Sequence, residues 1–130
     1  DITSTDLSQE SSNKYDLITG FDYISHFEYK KRKELYNKAR DMLNDSGLLV
    51  FSGKDPVTGI KLRAIDGWEK YPVYEAMWTS GQLISELEEN GFRIKFLIPT
   101  GTGLYDRLPS KYKNIPSLYI IGASPLKQGN

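Results

Sequence analysis

Between residues 28 and 53 the chain changes its hydrophobic period within a few positions, and that change restricts the fold more than any other feature. From Glu28 to Asn44 the residues favour helix, with Leu35, Ala39, Met42 and Leu43 falling on one face. Asn44, Asp45, Ser46 and Gly47 then stop the helix, Gly47 being suited to the left-handed conformation just past a helix end. LLVFSG, residues 48–53, follows at once and is apolar on both faces. Such a strand needs cover on both sides, as a parallel strand between helices has.

The flanking segments extend this alternation. Residues 1–14 are almost wholly polar and read as a loop or a frayed end. Tyr15 to Gly20 form a short apolar run with β-favouring residues, as in a buried strand. KKRK at 30–33, with Lys38 and Arg40, reads as the solvated face of the first helix rather than a phosphate contact. Residues 54–78 mix Gly, Pro, charge and aromatics without one clean period, which suggests a long functional excursion.

Beyond it, Thr79 and Gln82 fit a capping box, and Trp78 and Leu83 stand at the two positions of a hydrophobic staple. Leu83, Ile84 and Leu87 give this helix its buried stripe, and Asn90-Gly91 close it. FRIKFLIP, residues 92–99, alternates apolar and basic residues before turning wholly apolar, as in a strand near a sheet edge. SLYIIGA, 117–123, is a fourth strand. Pro109 and Pro116 argue against a helix before it, so it should return antiparallel.

The first three strands alternate with helices, so they should run parallel with right-handed crossovers. The expectation is one α/β domain. A hydrophobic fraction of 38% supports a folded chain, and 130 residues suffice for one core. Seventeen basic residues balance seventeen acidic ones, leaving no global field to favour nucleic acid. The absence of cysteine excludes a disulfide framework and thiolate metal sites, and a single histidine excludes a multi-histidine metal site; no metal is expected. With no apolar run near the length of a membrane span and no signal-peptide pattern, the expected location is the cytoplasm.

Four stretches in this order and spacing resemble the C-terminal half of a class I S-adenosylmethionine-dependent methyltransferase. YDLITGFDYISHF, residues 15–27, is similar to the family's fourth strand and following loop, "FDlv...vleH". KARDMLNDSGLLVFSG is similar to the next helix and fifth strand, "l.r.LkpGG.l.fs". MWTSGQLISELEENGFRI resembles "ys.eel..lLe.aGF.v", the late helix and sixth strand, and PSLYIIGA the antiparallel seventh. The resemblance implies a Rossmann-like sheet with parallel strands and an antiparallel last strand, S-adenosylmethionine as cofactor, and a small-molecule methyl acceptor.

The family's glycine-rich cofactor loop after its first strand, and the acidic residue after its second, have no counterpart here. The only GxG, Gly101-Thr102-Gly103, lies between the last two strands and opens no helix, so it reads as a flexible loop. The expectation is therefore a partial domain over residues 1–130, with a further N-terminal part of about one hundred residues in the gene product. Asp1-Ile2 would be the remnant of the family's "D-[ILMV]" pattern, whose acid accepts from the adenine amine.

Carried over residue by residue, the resemblance places the cofactor against Asp1, Ile2, Gly20, Phe21 and Asp22. A glycine at position 20 would let the backbone approach the ligand. The plainer alternatives are a strand end with Phe21 in the core, and Asp22 as a helix cap. Tyr23, Trp68 and Tyr71 are candidate acceptor contacts. Trp78 is already accounted for as a staple, and Tyr74 reads as a packing residue. His26 is the one side chain able to act as a general base near neutral pH, against a packed structural role. Methyl transfer from a sulfonium needs positioning and a dry pocket more than acid–base machinery, so no catalytic triad is required.

Two other readings stay open: a noncatalytic α/β module that pairs its exposed first strand with another chain or a second copy, and another doubly wound nucleotide-binding domain.

Overall fold

The computed structural model describes residues 14–21, 23–56, 60, 74–100 and 118–126. Their elements are β1 (Tyr15–Thr19), a 3₁₀ turn (Ile24–His26), α1 (Tyr29–Met42), β2 (Leu43–Lys54), α2 (Ser80–Glu89), β3 (Phe92–Thr100) and β4 (Leu118–Pro125). The strands form one sheet in the order β1-β2-β4-β3. β1 and β2 pair parallel, and β4 lies antiparallel between β2 and β3. β3 therefore runs in the direction of β1 and β2 but is separated from them by the returning last strand. Among the described residues no helix is long and apolar enough to cross a membrane.

The core lies on one face of this sheet. Leu35, Tyr36, Ala39, Met42 and Leu43 from α1 and its junction meet Leu49 and Phe51 of β2, Ile121 and Ala123 of β4, and Leu83 and Leu87 of α2. Tyr36 is the hub, with its ring centroid 6.2 Å from those of both Phe51 and Phe92. Each such side chain contributes about 1.5–3 kcal/mol on full burial, so the α1 and α2 stripes hold both helices on the sheet.

Helix α2 follows its local signals. Thr79 Oγ1 accepts from the Gln82 amide at 3.2 Å, and Gln82 Oε1 accepts from the Thr79 amide at 3.0 Å, a complete capping box. Trp78 and Leu83 are both buried and both approach Gly53, where an added Cβ would sit 2.9 Å from Trp78 and 3.2 Å from Leu83. Gly91 ends the helix at φ +83°, the left-handed region that favours glycine.

Three expectations are corrected. Gly47 is no left-handed cap: α1 stops at Met42 and residues 43–47 already belong to β2. Glycine is needed there because a Cβ would stand 2.8 Å from the Tyr15 carbonyl oxygen of the neighbouring strand. Secondly, β1 is not a buried strand. Only Ile18 is buried, and Leu17 is 56% exposed, because β1 is outermost in the sheet and Leu17 alternates away from the helix layer. Thirdly, Arg32 of the KKRK run is not on a solvated face; it is 5% exposed, three and four residues before Leu35 and Tyr36 on the apolar stripe.

Candidate functional site

The parallel strands β1 and β2 end on the same edge of the sheet, where β4 begins and where both helices start. Ligands of open α/β sheets bind beyond such carboxyl ends. The amide of Gly20 donates to the Val50 carbonyl at 2.9 Å, extending the β1–β2 ladder by one residue. The chain then reverses: Tyr23 N–H donates to Gly20 O at 3.2 Å, and the 3₁₀ turn drops the side chain of Ile24 onto Gly20. A Cβ at position 20 would meet Ile24 Cδ1 at 2.9 Å. A larger residue here would push the end of the Ile24 side chain aside, so glycine suits the turn.

The reversal leaves Phe21 50% exposed, so the reading that buried Phe21 in the core is overturned. An exposed phenyl ring at a strand's carboxyl end is an apolar surface available to a flat ligand. Tyr23 is half-buried with its ring centroid 5.0 Å from that of Phe27 at 72°. Burial pushes its hydroxyl pKa up, so it is a neutral hydroxyl at physiological pH.

His26 is half-buried, and its Nδ1 lies 3.2 Å from the carbonyl oxygen of Tyr74. A carbonyl only accepts, so this bond places the proton of neutral His26 on Nδ1 and the lone pair on Nε2, the tautomer a base needs. The segment 74–78 is laid along the site by further ties. Ala76 N–H donates to Ser25 O at 2.7 Å, Trp78 N–H to Lys54 O at 2.9 Å, and Lys54 Nζ meets Glu75 Oε2 at 2.8 Å.

The structure also gathers residues that sequence reasoning passed over. Asp55, buried just past the end of β2, accepts from the Tyr119 hydroxyl at 3.3 Å. Asp55 had a usable signal: Lys54-Asp55 are charges that follow directly on the mostly apolar run LLVFSG. Arg32 donates through Nε and Nη2 to the two oxygens of Glu86, at 2.9 and 2.7 Å. Glu86 also accepts from the Tyr36 hydroxyl and from Trp78 Nε1. Burial alone would raise the Glu86 pKa, but the bonds from Arg32, Tyr36 and Trp78 outweigh it and hold the carboxyl below the usual glutamate range. Burial works against the Arg32 charge too, yet Glu86 raises its pKa above the ordinary arginine value. Tyr36 is pushed well up by burial and by the Glu86 charge.

A cavity of about 820 Å³ opens between this pair, the 74–78 segment and α2, with Tyr74, Glu75, Met77, Trp78, Gln82 and Ser85 among its lining residues. Among the described residues no group of three His, Asp or Glu side chains could hold a metal ion.

Of the residues expected at the site, Gly20, Phe21, Tyr23 and His26 come together on one reversal at the end of β1. Asp1, Ile2, Asp22, Trp68 and Tyr71 lie outside the described residues, as does the Gly101–Gly103 loop.

The architecture is an open, Rossmann-like α/β sheet with an antiparallel last strand. No protein-family model and no curated protein matches the sequence. Solved structures do match the fold. A magnesium protoporphyrin IX methyltransferase from Synechocystis PCC 6803, with bound S-adenosylhomocysteine, aligns with TM-score 0.60 and 18% identity over 93% of this chain and 49% of its own. An S-adenosylmethionine-dependent methyltransferase from Mesorhizobium loti aligns with TM-score 0.64 and 16% identity, over 86% of this chain and 62% of its own. A glycopeptide N-methyltransferase complexed with S-adenosylmethionine aligns with TM-score 0.59 and 11% identity, over 88% and 55%. The chain thus has the fold of S-adenosylmethionine-dependent methyltransferases, and it spans about half the length of the first of these enzymes. Its strand content is that of the C-terminal half expected from the sequence.

Proposed function

We propose that this chain is the C-terminal half of an S-adenosylmethionine-dependent methyltransferase acting on a small-molecule acceptor. The observation that carries the reading is the reversal after β1. It sets Gly20, exposed Phe21, Tyr23 and His26 at the carboxyl edge of a sheet whose fold is that of these enzymes. The described residues fit one wall of a cofactor pocket: Gly20 and Phe21 would hold the nucleoside side of S-adenosylmethionine by backbone approach and apolar contact. When bound, that cofactor supplies an electrophilic methyl group on a sulfonium.

The chain's own residues then position and desolvate. Tyr23 and Phe27 present apolar surface that keeps water away. His26, with its lone pair on Nε2, would take the proton that an oxygen or nitrogen acceptor loses. The cavity beside Tyr74 and Trp78 has the volume usual for a small-molecule site. That size, with zero net charge, supports a small acceptor over a nucleic acid. The second half of the pocket, including the glycine-rich loop, would come from further sequence in the parent protein, packed on the outer edge of β1. A partner chain adding a strand to that edge is the second reading, supported by the exposure of Leu17.

Calorimetric titration with S-adenosylhomocysteine tests the proposal. The gene product carrying this segment should bind, and the 130-residue chain alone should give weak heat or none. No binding by the gene product overturns the methyltransferase reading, and tight binding by the chain alone overturns the need for a second half.

A further inference from the structure

The buried ion pair is placed where it can do more than hold helices on a sheet. Arg32 Nη1, the nitrogen not bonded to Glu86, donates to the Phe27 carbonyl at 2.8 Å and lies 3.5 Å from the Tyr74 hydroxyl. Phe27 is the residue after His26, and Tyr74 carries the carbonyl that His26 Nδ1 meets. The guanidinium is also 5.2 Å from the Trp78 ring centroid, while Trp78 Nε1 donates to Glu86. One side chain of α1 is therefore joined to the reversal after β1, to the 74–78 segment and to α2. A buried ion pair barely recovers its desolvation cost, so the Arg32–Glu86 charges themselves add little that apolar packing could not. What apolar residues lack is direction.

We propose that Arg32 is a positioning residue: clamped by Glu86, it fixes the His26 turn against the 74–78 segment and so sets the geometry of the acceptor side of the site. This deepens the methyltransferase reading and rests on it for its meaning in catalysis, where a displacement of about 1 Å can cost about a hundredfold in rate. The fork of the guanidinium is essential, since a lysine ammonium cannot serve both oxygens of Glu86 and the Phe27 carbonyl at once.

The test is amide hydrogen exchange on the 130-residue chain, followed residue by residue by NMR. The reporter is the Ala76 amide, which bonds to Ser25 O across the two segments and belongs to neither helix nor sheet. Amides of Phe51 and Ile121, in the β2–β4 ladder, report global stability. Because Arg32→Met alone strands a buried carboxylate, and Glu86→Leu would strand the Tyr36 hydroxyl and Trp78 Nε1, the decisive protein is the paired variant Arg32→Met/Glu86→Gln, with Arg32→Lys beside it. In the paired variant the expected result is a loss of Ala76 protection of about tenfold or more while Phe51 and Ile121 keep theirs. Arg32→Lys should lose Ala76 protection as well. Unchanged Ala76 protection in the paired variant, an equal loss at all three amides, or full protection in Arg32→Lys each overturns the proposal. Neither cofactor nor acceptor enters this experiment, so its failure is separable from failure of the S-adenosylhomocysteine titration.

Discussion

Replacing Tyr36 by Phe removes one oxygen from the centre of the protein and leaves everything else that Tyr36 does. The side chain is 0% exposed, and its ring packs between Phe51 and Phe92. A phenyl group retains that packing. What is lost is the hydroxyl donated to Glu86 Oε2, a hydrogen bond to an ionised group, worth about 1.5–3 kcal/mol. The lower part of that range applies, because Glu86 Oε2 keeps Arg32 Nε at 2.9 Å and no buried polar atom is orphaned. The expected loss is about 1.5–2 kcal/mol, which for a chain of this size lowers Tm by roughly 5–10 °C. Urea unfolding followed by tryptophan fluorescence measures it, with an unchanged m-value showing that only stability moved. The difference from wild type should narrow in acid, because protonating Glu86 reduces the bond to a neutral one. A loss below about 0.5 kcal/mol, or a difference that does not depend on pH, refutes the charge-assisted bond.

Gly91→Ala should cost about 1–2 kcal/mol, since φ +83° is unfavourable for an L side chain and the new methyl would lie 3.0 Å from Arg40 Nη1; a neutral result in thermal unfolding contradicts this. Thr79→Ala should cost about 1 kcal/mol by losing the N-terminal cap of α2, and Thr79→Ser should restore most of it in the same measurement. Glu86 has a lowered pKa in the folded state, so its contribution is complete above the ordinary glutamate value of about 4.3 and lost as pH falls through the folded value. The fall in unfolding free energy from about pH 4 to 2 should accordingly be smaller in Glu86→Gln, and equal slopes in the two proteins argue against it. On the proposed reading, His26→Gln in the gene product that carries this segment should slow methyl transfer to a natural acceptor by about a hundredfold, with unchanged turnover removing the base assignment.

Local signals in the sequence carried furthest. The capping box at Thr79 and Gln82, the glycine stop at Gly91 and the edge character of FRIKFLIP each depend on residues within one turn or one strand, and the structure reproduces them. The antiparallel sense of β4 was readable from the prolines in the preceding loop. Its insertion between β2 and β3 was not, because strand order is decided by packing between segments far apart in sequence.

Gly47 shows the same limit: its spacing looked like a helix cap, but the constraint is the Tyr15 carbonyl on a neighbouring strand. Arg32 was a misreading with a usable signal. A charge at the apolar spacing before Leu35 and Tyr36, and another at Glu86 beside Leu83 and Leu87, mark two helices that bury complementary charges against each other. For the site, the loop after β1 is visible as Gly20 to His26 and Asp55 as a charge following an apolar run, while the contribution of residues 74–78 and Tyr119 appears only when the chain is folded.

Photochemical cross-linking tests the cofactor wall most directly. Methyl-labelled S-adenosylmethionine is irradiated with the gene product that carries this segment, and the labelled peptide is mapped. Label within residues 20–27, competed away by S-adenosylhomocysteine, is the expected result. Competable label confined to peptides outside this segment, or no competable label, contradicts the assignment of the reversal after β1 as the wall of a methyltransferase site.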